Sequence, residues 1–401
     1  MTAPPDGPDV PDGPDVPEVP DGHDLLDPEL HARGEAAGVL RELRETCPIA
    51  WRAGRRGPGY WAVTGYAELA AIARDPQAFT SYWGTRPEVR RAAGAARPLH
   101  NLDPPAHTEA RALANQLVAP SRFDALSRVV DGIIAPAIDD FVAAGGGDAV
   151  PLAVAVPAQI FAVWMGLGIA RAPELAACVD AVHAAGAALL DAPAVAAHRT
   201  AARDATLALS AMLRDAITAG AAPRASVLAE LHQLVAGGAL ALAPATMLAA
   251  LLVEAGLPTV IDAIAGGLAL VRERPADIRL AVEEILRLQS PIQQFARYAQ
   301  RDITIAGVDI RAGQQVVLWY GAANRDARAF PDADRFALRA RNPHLAFGIG
   351  PHRCAGARMA RDILTRFFTA WFARVPRHEA LGLRRASSYM HGYRELLIRI
   401  T

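Results

Sequence analysis

The segment around Cys354 combines residue types that could bind a metal. Cys354 stands in Phe347-Gly348-Ile349-Gly350-Pro351-His352-Arg353-Cys354-Ala355-Gly356, a glycine-rich turn that leads into the helix-forming run 357–361. A thiol at a helix N-terminus receives free backbone N–H groups and the positive end of the helix dipole, and both favour the thiolate, a soft metal ligand. A lone cysteine is more often a buried structural residue. That alternative leaves the neighbouring glycines and the donors of His352 and Arg353 unexplained.

The ten-residue pattern resembles the haem-binding loop of the cytochrome P450 family, in which a phenylalanine stands seven residues before the thiolate ligand. The resemblance implies that Cys354 is the proximal ligand of the iron of haem b. Thiolate donation to haem iron favours O–O bond cleavage, which a monooxygenase requires. A glycine at 356 permits close approach of a flat cofactor. The cofactor contacts implied in this loop are Phe347, Gly348, His352, Cys354 and Gly356.

Two basic residues follow a pair of prolines on a predicted helix. His107 and Arg111 are four positions apart, so their side chains share one helix face. Each alone is more often a solvated surface charge. The resemblance to the P450 family implies that both bind the haem propionates, together with Arg297 and His352.

Glu284 and Arg287 are three positions apart, so on a helix they can form an ion pair. On a surface such a pair is worth less than ~1 kcal/mol and carries little information. The resemblance implies a structural pair that supports the cysteine loop. An arginine from the irregular segment before that loop completes the pair in the family, and here the expected residue is Arg335.

The segment Ala255-Gly256-Leu257-Pro258-Thr259 resembles the family's oxygen-side helix, which implies haem contacts from Ala255 and Gly256. The family usually has a carboxylate followed by threonine in a locally opened helix. Thr259 is present, but Pro258 occupies the acid position. Proline cannot carry a proton, so the usual acid of the relay to dioxygen is missing. It also lacks an N–H, which predicts a fixed kink.

Pro258 leaves several alternatives open. Thr259 and water could carry protons in an ordinary hydroxylation. The oxidant could instead drive oxidative coupling or ring formation, or peroxide could replace dioxygen. Some peroxide users in the family have Arg-Pro in place of the acid and the alcohol, whereas here Leu257 precedes Pro258 and the alcohol of Thr259 is retained. Glu254 could supply a proton, but it lies five residues before Thr259. A haem-bearing binding protein without turnover is the alternative from a different class.

The resemblance places the substrate contacts only by region. The mixture of aromatic and polar side chains in these regions suits a medium or large, partly polar molecule, and a specialised metabolite is expected by analogy of fold. The expected contacts are Trp83, Leu252, Ile292, Gln293, Phe295 and Met390.

Composition limits the class of protein. The 401 residues are 52% hydrophobic and 21% charged, enough for a large core. The net charge of -1 gives no general attraction to nucleic acid or to an anionic membrane. Cys47, Cys178 and Cys354 are too widely spaced for a disulfide framework or a zinc site. With no basic-then-apolar N-terminal segment, a cytoplasmic protein is expected. The apolar run 234–253 is interpreted as a core helix rather than a membrane span.

Residues 1–22, rich in Pro and Asp, predict a disordered leader. Residues 23–401 predict one mainly α domain with small β-sheets, in agreement with the P450 fold. Helices are predicted over 124–144, 158–165, 173–190 and 201–218, and strands at 60–64, 303–305, 308–310 and 315–318.

The resemblance also implies partners. A soluble bacterial member of the family receives electrons from NAD(P)H through a ferredoxin reductase and a ferredoxin. Arg353, Arg358 and Arg361 fall near the face where the ferredoxin docks in the family, although solvated helix arginines are the simpler interpretation. A monomer with a small-molecule substrate is expected.

Overall fold

The computed structural model describes residues 23–54, 57–87, 96–188 and 195–401. The predicted leader lies outside the described residues. In chain order the helices of the described part are α1 (Pro28–Ala32), α2 (Ala36–Thr46), α3 (Tyr66–Arg74), α4 (Ala106–Leu117), α5 (Pro120–Asp124), α6 (Ser127–Ala143), α7 (Val150–Met165), α8 (Ala172–Ala188), α9 (Val195–Ala219), α10 (Val227–Ala236), α11 (Leu242–Leu270), α12 (Ile278–Gln289), α13 (Tyr320–Ala323) and α14 (Ala357–Arg374).

The strands are short and form three small sheets. They are β1 (Ile49–Arg52), β2 (Tyr60–Val63), β3 (Phe79–Thr80), β4 (Gly146–Asp148), β5 (Gln294–Ala299), β6 (Ile303–Ile305), β7 (Val308–Ile310), β8 (Gln315–Trp319), β9 (His378–Arg384) and β10 (Tyr393–Ile400). The largest sheet has the order β1-β2-β8-β5-β3, the second β4-β10-β9, and β6 and β7 form a hairpin. The prediction of a mainly α domain with small β-sheets is confirmed.

One predicted helix differs from the structure at a proline. The helix predicted from residue 158 begins at Val150, because α7 continues through Pro157. Leu152, Ala153 and Val156 are buried on this first half, so tertiary packing outweighs the loss of one backbone hydrogen bond. The helix predicted over 124–144 corresponds to α6 (Ser127–Ala143), and residue 124 is instead the last residue of α5.

Helix α11 runs through the centre of the largest hydrophobic core. Its core residues include Ala249, Val253, Leu257 and Ile264, which lie among buried residues of α7 and α14. In the part of the chain that the structure describes, α11 is the helix long and apolar enough to cross a membrane. A helix that is apolar around most of its circumference also suits a protein core. Of the run 234–253 predicted as one core helix, residues 242–253 belong to α11, whereas 234–236 end α10 and 237–241 form a largely exposed turn.

Helices α12 and α14 pack against α11 and against each other. Asp277 caps α12 by accepting hydrogen bonds from the backbone N–H groups of Arg279 and Leu280. The segment 324–356 runs from α13 to α14 and contains the Cys354 loop. This packing places the loop opposite the middle of α11.

Candidate active site

Backbone hydrogen bonds fix the shape of the Cys354 loop. The Cys354 N–H donates to the Phe347 carbonyl at 2.8 Å, and the Gly348 N–H donates to the Leu345 carbonyl at 2.8 Å. Gly350 has a φ of +77°, and a Cβ added there would overlap the carbonyl oxygen of Ala73 on α3. Glycine is therefore required at position 350 both by conformation and by space.

The thiol of Cys354 is exposed to the cavity although it lies deep in the protein. Burial raises its pKa, and this effect outweighs the opposing hydrogen bond from the Gly356 backbone and the charges of Arg111, Arg361 and Arg353. The Gly356 bond acts in the direction predicted for the helix terminus, but in the protein chain alone desolvation is the larger effect and the net pKa is raised. A coordinated metal cation deprotonates a thiol directly.

The loop and α11 face each other across one cavity. Cys354 and Phe347 line it from the loop, and Ala255, Gly256 and Thr259 line it from α11. All ten residues predicted to contact the cofactor line this cavity: His107, Arg111, Ala255, Gly256, Arg297, Phe347, Gly348, His352, Cys354 and Gly356. Their individual roles toward a cofactor stay predictions.

Basic side chains gather at one edge of the cavity. The rings of His107 and His352 lie 4.3 Å apart, and His107 Nε2 is buried with no hydrogen-bond partner. Arg297 donates to the Ala296 carbonyl at 2.8 Å. Arg111 donates to the carbonyl of Arg353 and to Asn115. A group of buried donors that includes an unpartnered nitrogen fits the acidic edge of a ligand such as haem.

Desolvation lowers the pKa of the basic groups at this edge. Burial, reinforced by Arg297 and His107, lowers the pKa of His352 to about 2. Burial also lowers the pKa of His107 and of Arg297. Acidic groups placed here would oppose these shifts and stabilise the charged forms.

The α11 wall combines Thr259 with Pro258. The Thr259 hydroxyl lies 3.0 Å from the carbonyl oxygens of both Ala255 and Gly256, so it can donate to one of them. Pro258 is buried and its side chain does not line the cavity. Helix α11 continues through Pro258, and the predicted kink stays a prediction. A Cβ added to Gly256 would lie 2.6 Å from the Phe161 ring, so this glycine also allows α7 to pack closely.

The Glu284–Arg287 ion pair is fully buried. The guanidinium donates to both carboxylate oxygens, at 2.8 Å and 2.7 Å, and both side chains are 0% exposed. Arg287 also donates to the carbonyls of Asn324 and Ala333 at 2.7 Å and 2.6 Å. Burial alone would raise the pKa of Glu284, but the bonds from Arg287 leave it below its ordinary value. The pair therefore ties α12 to the segment before the Cys354 loop.

The prediction that the side chain of Arg335 completes the Glu284–Arg287 pair is wrong. The side chain that pairs with Glu284 is that of Arg339, and Arg335 contributes only its carbonyl oxygen, which accepts from Arg287 at 3.2 Å. Asn342 also donates to Glu284, at 3.0 Å. The segment lacks helical or strand periodicity, so the sequence pattern does not determine which arginine turns inward.

A second group of contacts, which is partly buried and which the sequence pattern does not predict, holds Phe347. Arg361 donates to Glu283 at 2.5 Å and 2.9 Å, and its guanidinium lies 4.5 Å from the centre of the Phe347 ring. His344 bonds to Glu283 at 3.1 Å. Burial alone would raise the pKa of Glu283, but His344 and Arg361 lower it to about 2. We call Glu283, Arg361 and His344 the Phe347 clamp.

The clamp separates Arg361 from the other two arginines predicted at the docking face. Arg361 is engaged with Glu283 and Phe347. Arg353 and Arg358 are exposed, and Arg358 pairs with Asp362 at 2.9 Å. Arg353 and Arg358 alone keep the position expected of docking residues.

Half of the predicted substrate contacts line the cavity. Leu252, Ile292 and Phe295 do so, but Trp83, Gln293 and Met390 do not. The Gln293 amide turns inward and donates to the carbonyls of Ser290 and Gln289. Met390 is buried opposite Ile292 in an antiparallel bridge, and its neighbour Tyr389 lines the cavity instead. Successive side chains of an extended segment point to opposite faces, so an offset of one residue decides which of them line the cavity.

Several lining residues were not predicted as substrate contacts. They include the aromatic side chains of Phe161, Trp164 and Tyr320, and the carboxylate of Glu254. Phe161 and Trp164 lie in the last five residues of α7. The composition of this helix is apolar, so its sequence does not indicate which face meets the cavity. For Glu254 the sequence pattern predicts only a role as a proton source.

The mainly helical fold and a cavity that joins a cysteine to a basic edge define a haem-thiolate class of protein. Residues 278–374 match the family described as Cytochrome P450. The chain is 31% identical to the putative cytochrome P450 126 of Mycobacterium tuberculosis, over 86% of this chain and 91% of that protein. The chain belongs to the cytochrome P450 family, and the family implies a haem cofactor.

Two further comparisons agree with this assignment. The steroid C26-monooxygenase of Rhodococcus jostii is 28% identical, over 94% of this chain and 84% of that protein. The structure of the Mycobacterium marinum cytochrome P450 CYP268A2 in complex with pseudoionone superposes with a TM-score of 0.82 at 26% identity. It covers 96% of this chain and 99% of its own. The protein is an oxidoreductase of the monooxygenase type.

Proposed function

We propose that this protein is a bacterial, cytoplasmic monooxygenase that oxidises a medium or large, partly polar specialised metabolite. The observation that carries this proposal is that Cys354 and Thr259 line the same cavity from opposite walls. NAD(P)H would supply the electrons through a ferredoxin reductase and a ferredoxin. When bound, haem b would supply the activation of dioxygen.

The residues present divide the work of holding that group. Cys354 would ligate the iron. His107, Arg111, Arg297 and His352 would bind the propionates, since they form the basic edge of the cavity. The Phe347 clamp and the Glu284–Arg287 pair would hold the loop in place. Together these contacts would orient the cofactor in the cavity.

Thr259 is the hydroxyl-bearing residue that α11 presents to the cavity. Its hydroxyl is within hydrogen-bond distance of two helix carbonyls, so it can hold a proton on this wall and pass it to a neighbouring acceptor. Pro258 cannot supply that proton. Protons would therefore reach Thr259 through water rather than through an adjacent carboxylate.

A second candidate function follows from Pro258. A protein without the usual acid could use its oxidant for hydrogen abstraction followed by C–C, C–N or C–O bond formation within the substrate. The measured product separates the two reactions, because hydroxylation adds one oxygen atom and ring formation removes two hydrogens.

The cysteine assignment is tested by spectroscopy. The reduced, CO-treated protein is expected to show the red-shifted Soret band of a thiolate ligand, and Cys354→Ser is expected to lose it. Cys178→Ser on α8 is the matched control and should keep the band. A band at the position of a histidine ligand in the wild-type protein would contradict the proposal.

Turnover is tested with NADPH, ferredoxin and reductase over a library of bacterial metabolites. Product formation that depends on all three components is expected. Arg358→Glu should slow reduction at low salt and have less effect at high salt, because screening weakens surface charge pairs. Binding without product under both dioxygen and peroxide would favour the non-catalytic binding protein instead.

A further inference from the structure

The α11 wall of the cavity contains one carboxylate. Glu254 lies one turn before Pro258 and lines the cavity together with Leu251, Leu252 and Ala255. Among the described residues that line the cavity, no other is acidic. The basic lining residues come from other elements, including α4, β5 and the Cys354 loop. Glu254 therefore gives the α11 wall a charge opposite to that of the basic edge.

The lining of the cavity that Glu254 joins is predominantly apolar. Leucine side chains and the aromatic rings of Phe161 and Trp164 belong to the same lining. Burial raises the pKa of Glu254, which reflects the cost of holding an anion where water is scarce. A cation beside the carboxylate lowers this cost, and aromatic faces attract cations as well. The cavity thus offers an organic cation two kinds of favourable contact.

The carboxylate of Glu254 can bind a ligand even while it has a contact within the chain. A carboxylate has two oxygens and about four acceptor positions. Glu254 has an interaction within the chain, so a ligand cation would share this group or compete for it.

We propose that Glu254 selects substrates that carry a positive charge, such as an amine protonated at neutral pH. This inference rests on the proposed function and specifies its substrate class. Glu254 binds and orients the substrate from the α11 wall, so the cationic end is held beside α11 and the remainder is directed into the cavity. It is a specificity-determining residue.

Binding of two matched probes to the haem-loaded protein tests the proposal. One probe is a phenylbutyl trimethylammonium ion, and the other is its neutral isostere with carbon in place of nitrogen. A quaternary ammonium cannot ligate iron and keeps its charge at every pH. Calorimetric titration is expected to show that the wild-type protein prefers the cation, on the order of fivefold to tenfold.

Three variants make the result specific. Glu254→Gln should lose the preference for the cation and bind the neutral probe within about twofold of the wild-type protein. Glu254→Asp keeps the charge and should retain part of the preference. Glu42→Gln, an exposed change of the same charge on α2, should leave the preference unchanged. Unaltered binding of the neutral probe to Glu254→Gln shows that its cavity is intact.

Two results would overturn the proposal: equal affinity of the wild-type protein for both probes, or an undiminished preference in Glu254→Gln. These outcomes are independent of the monooxygenase assignment. A protein with the thiolate Soret band and turnover but no preference for the cation refutes only the role of Glu254. A protein that prefers the cation but lacks that band refutes only the proposed function.

Discussion

The two walls of the cavity differ in how strongly neighbouring elements constrain their side chains. On the cysteine side, Gly350 meets α3, Phe347 is held by the clamp, and Glu284 ties the preceding segment to α12. On the α11 side, Glu254 is half-buried and lines the cavity, and Pro258 is buried in the helix beside Thr259. We expect the first wall to determine how the cofactor is held and the second to determine reaction and substrate.

The largest effect is expected on the cysteine side. Glu284→Gln removes the charge that pairs with the fully buried Arg287, and breaking such a pair costs about 3–5 kcal/mol of unfolding free energy. Urea denaturation and haem content measure the loss. Glu379→Gln is the control, because its pair with Arg399 is exposed and should contribute less than ~1 kcal/mol. Equal effects of the two changes would contradict the structural role of Glu284.

The next effect concerns the buried Asp262 on α11. Burial raises its pKa from 3.8 to about 6 despite the opposing charges of Arg385 and Arg384, and one of its oxygens has no hydrogen-bond partner. The folded state therefore binds this proton more tightly than the unfolded state. The stabilisation is present below the unfolded pKa and is lost as pH rises through about 6.

Asp262→Asn should remove that dependence on pH. Relative to the wild-type protein, the variant should gain up to about 3 kcal/mol of unfolding free energy between pH 4 and pH 8. Denaturant titrations of both proteins across this range measure the difference. A difference that stays constant with pH would show that folding does not shift the pKa of Asp262.

A smaller effect is expected from the Phe347 clamp. Arg361→Lys keeps the charge but loses the bidentate contact with Glu283 and the planar contact with Phe347. The expected loss is about 1–2 kcal/mol, with faster transfer of haem to an acceptor protein. Arg358→Lys, on the exposed face of the same helix, is the control and should leave the rate unchanged. Identical rates for both variants would contradict the clamp.

The smallest expected effect is on the reaction itself. Pro258→Asp places an acid before Thr259, and the product formed per NADPH consumed should rise severalfold if proton delivery limits the wild-type protein. Pro258→Asn has similar size but no proton to give, so it separates acid from shape. If Asp and Asn give the same products at the same coupling, the missing acid has no part in setting the reaction.

The sequence predicts the cysteine wall well because local backbone requirements determine it. Gly350 is required by a positive φ and a close contact, and such requirements appear as residue types at fixed spacing. The sequence predicts that Arg335 pairs with Glu284, whereas the structure places Arg339 there. An irregular segment has no period that specifies which side chain turns inward.

Residues placed by tertiary packing were harder to predict. Gln293 and Met390 occupy extended backbone, where an offset of one residue exchanges the inner and outer faces. The position of Glu254 depends on how the cavity extends around α11. Neighbouring elements such as α7 determine that boundary, and helical spacing alone does not contain this information.

The close packing of Phe161 against Gly256 has a consequence for the history of the family. Because no Cβ fits at 256 while a phenyl ring occupies that space, the two positions share a fixed volume. Relatives with alanine or serine at the position of Gly256 should have a smaller residue at the position of Phe161. Substitutions at these two positions are therefore expected to occur in pairs over evolution.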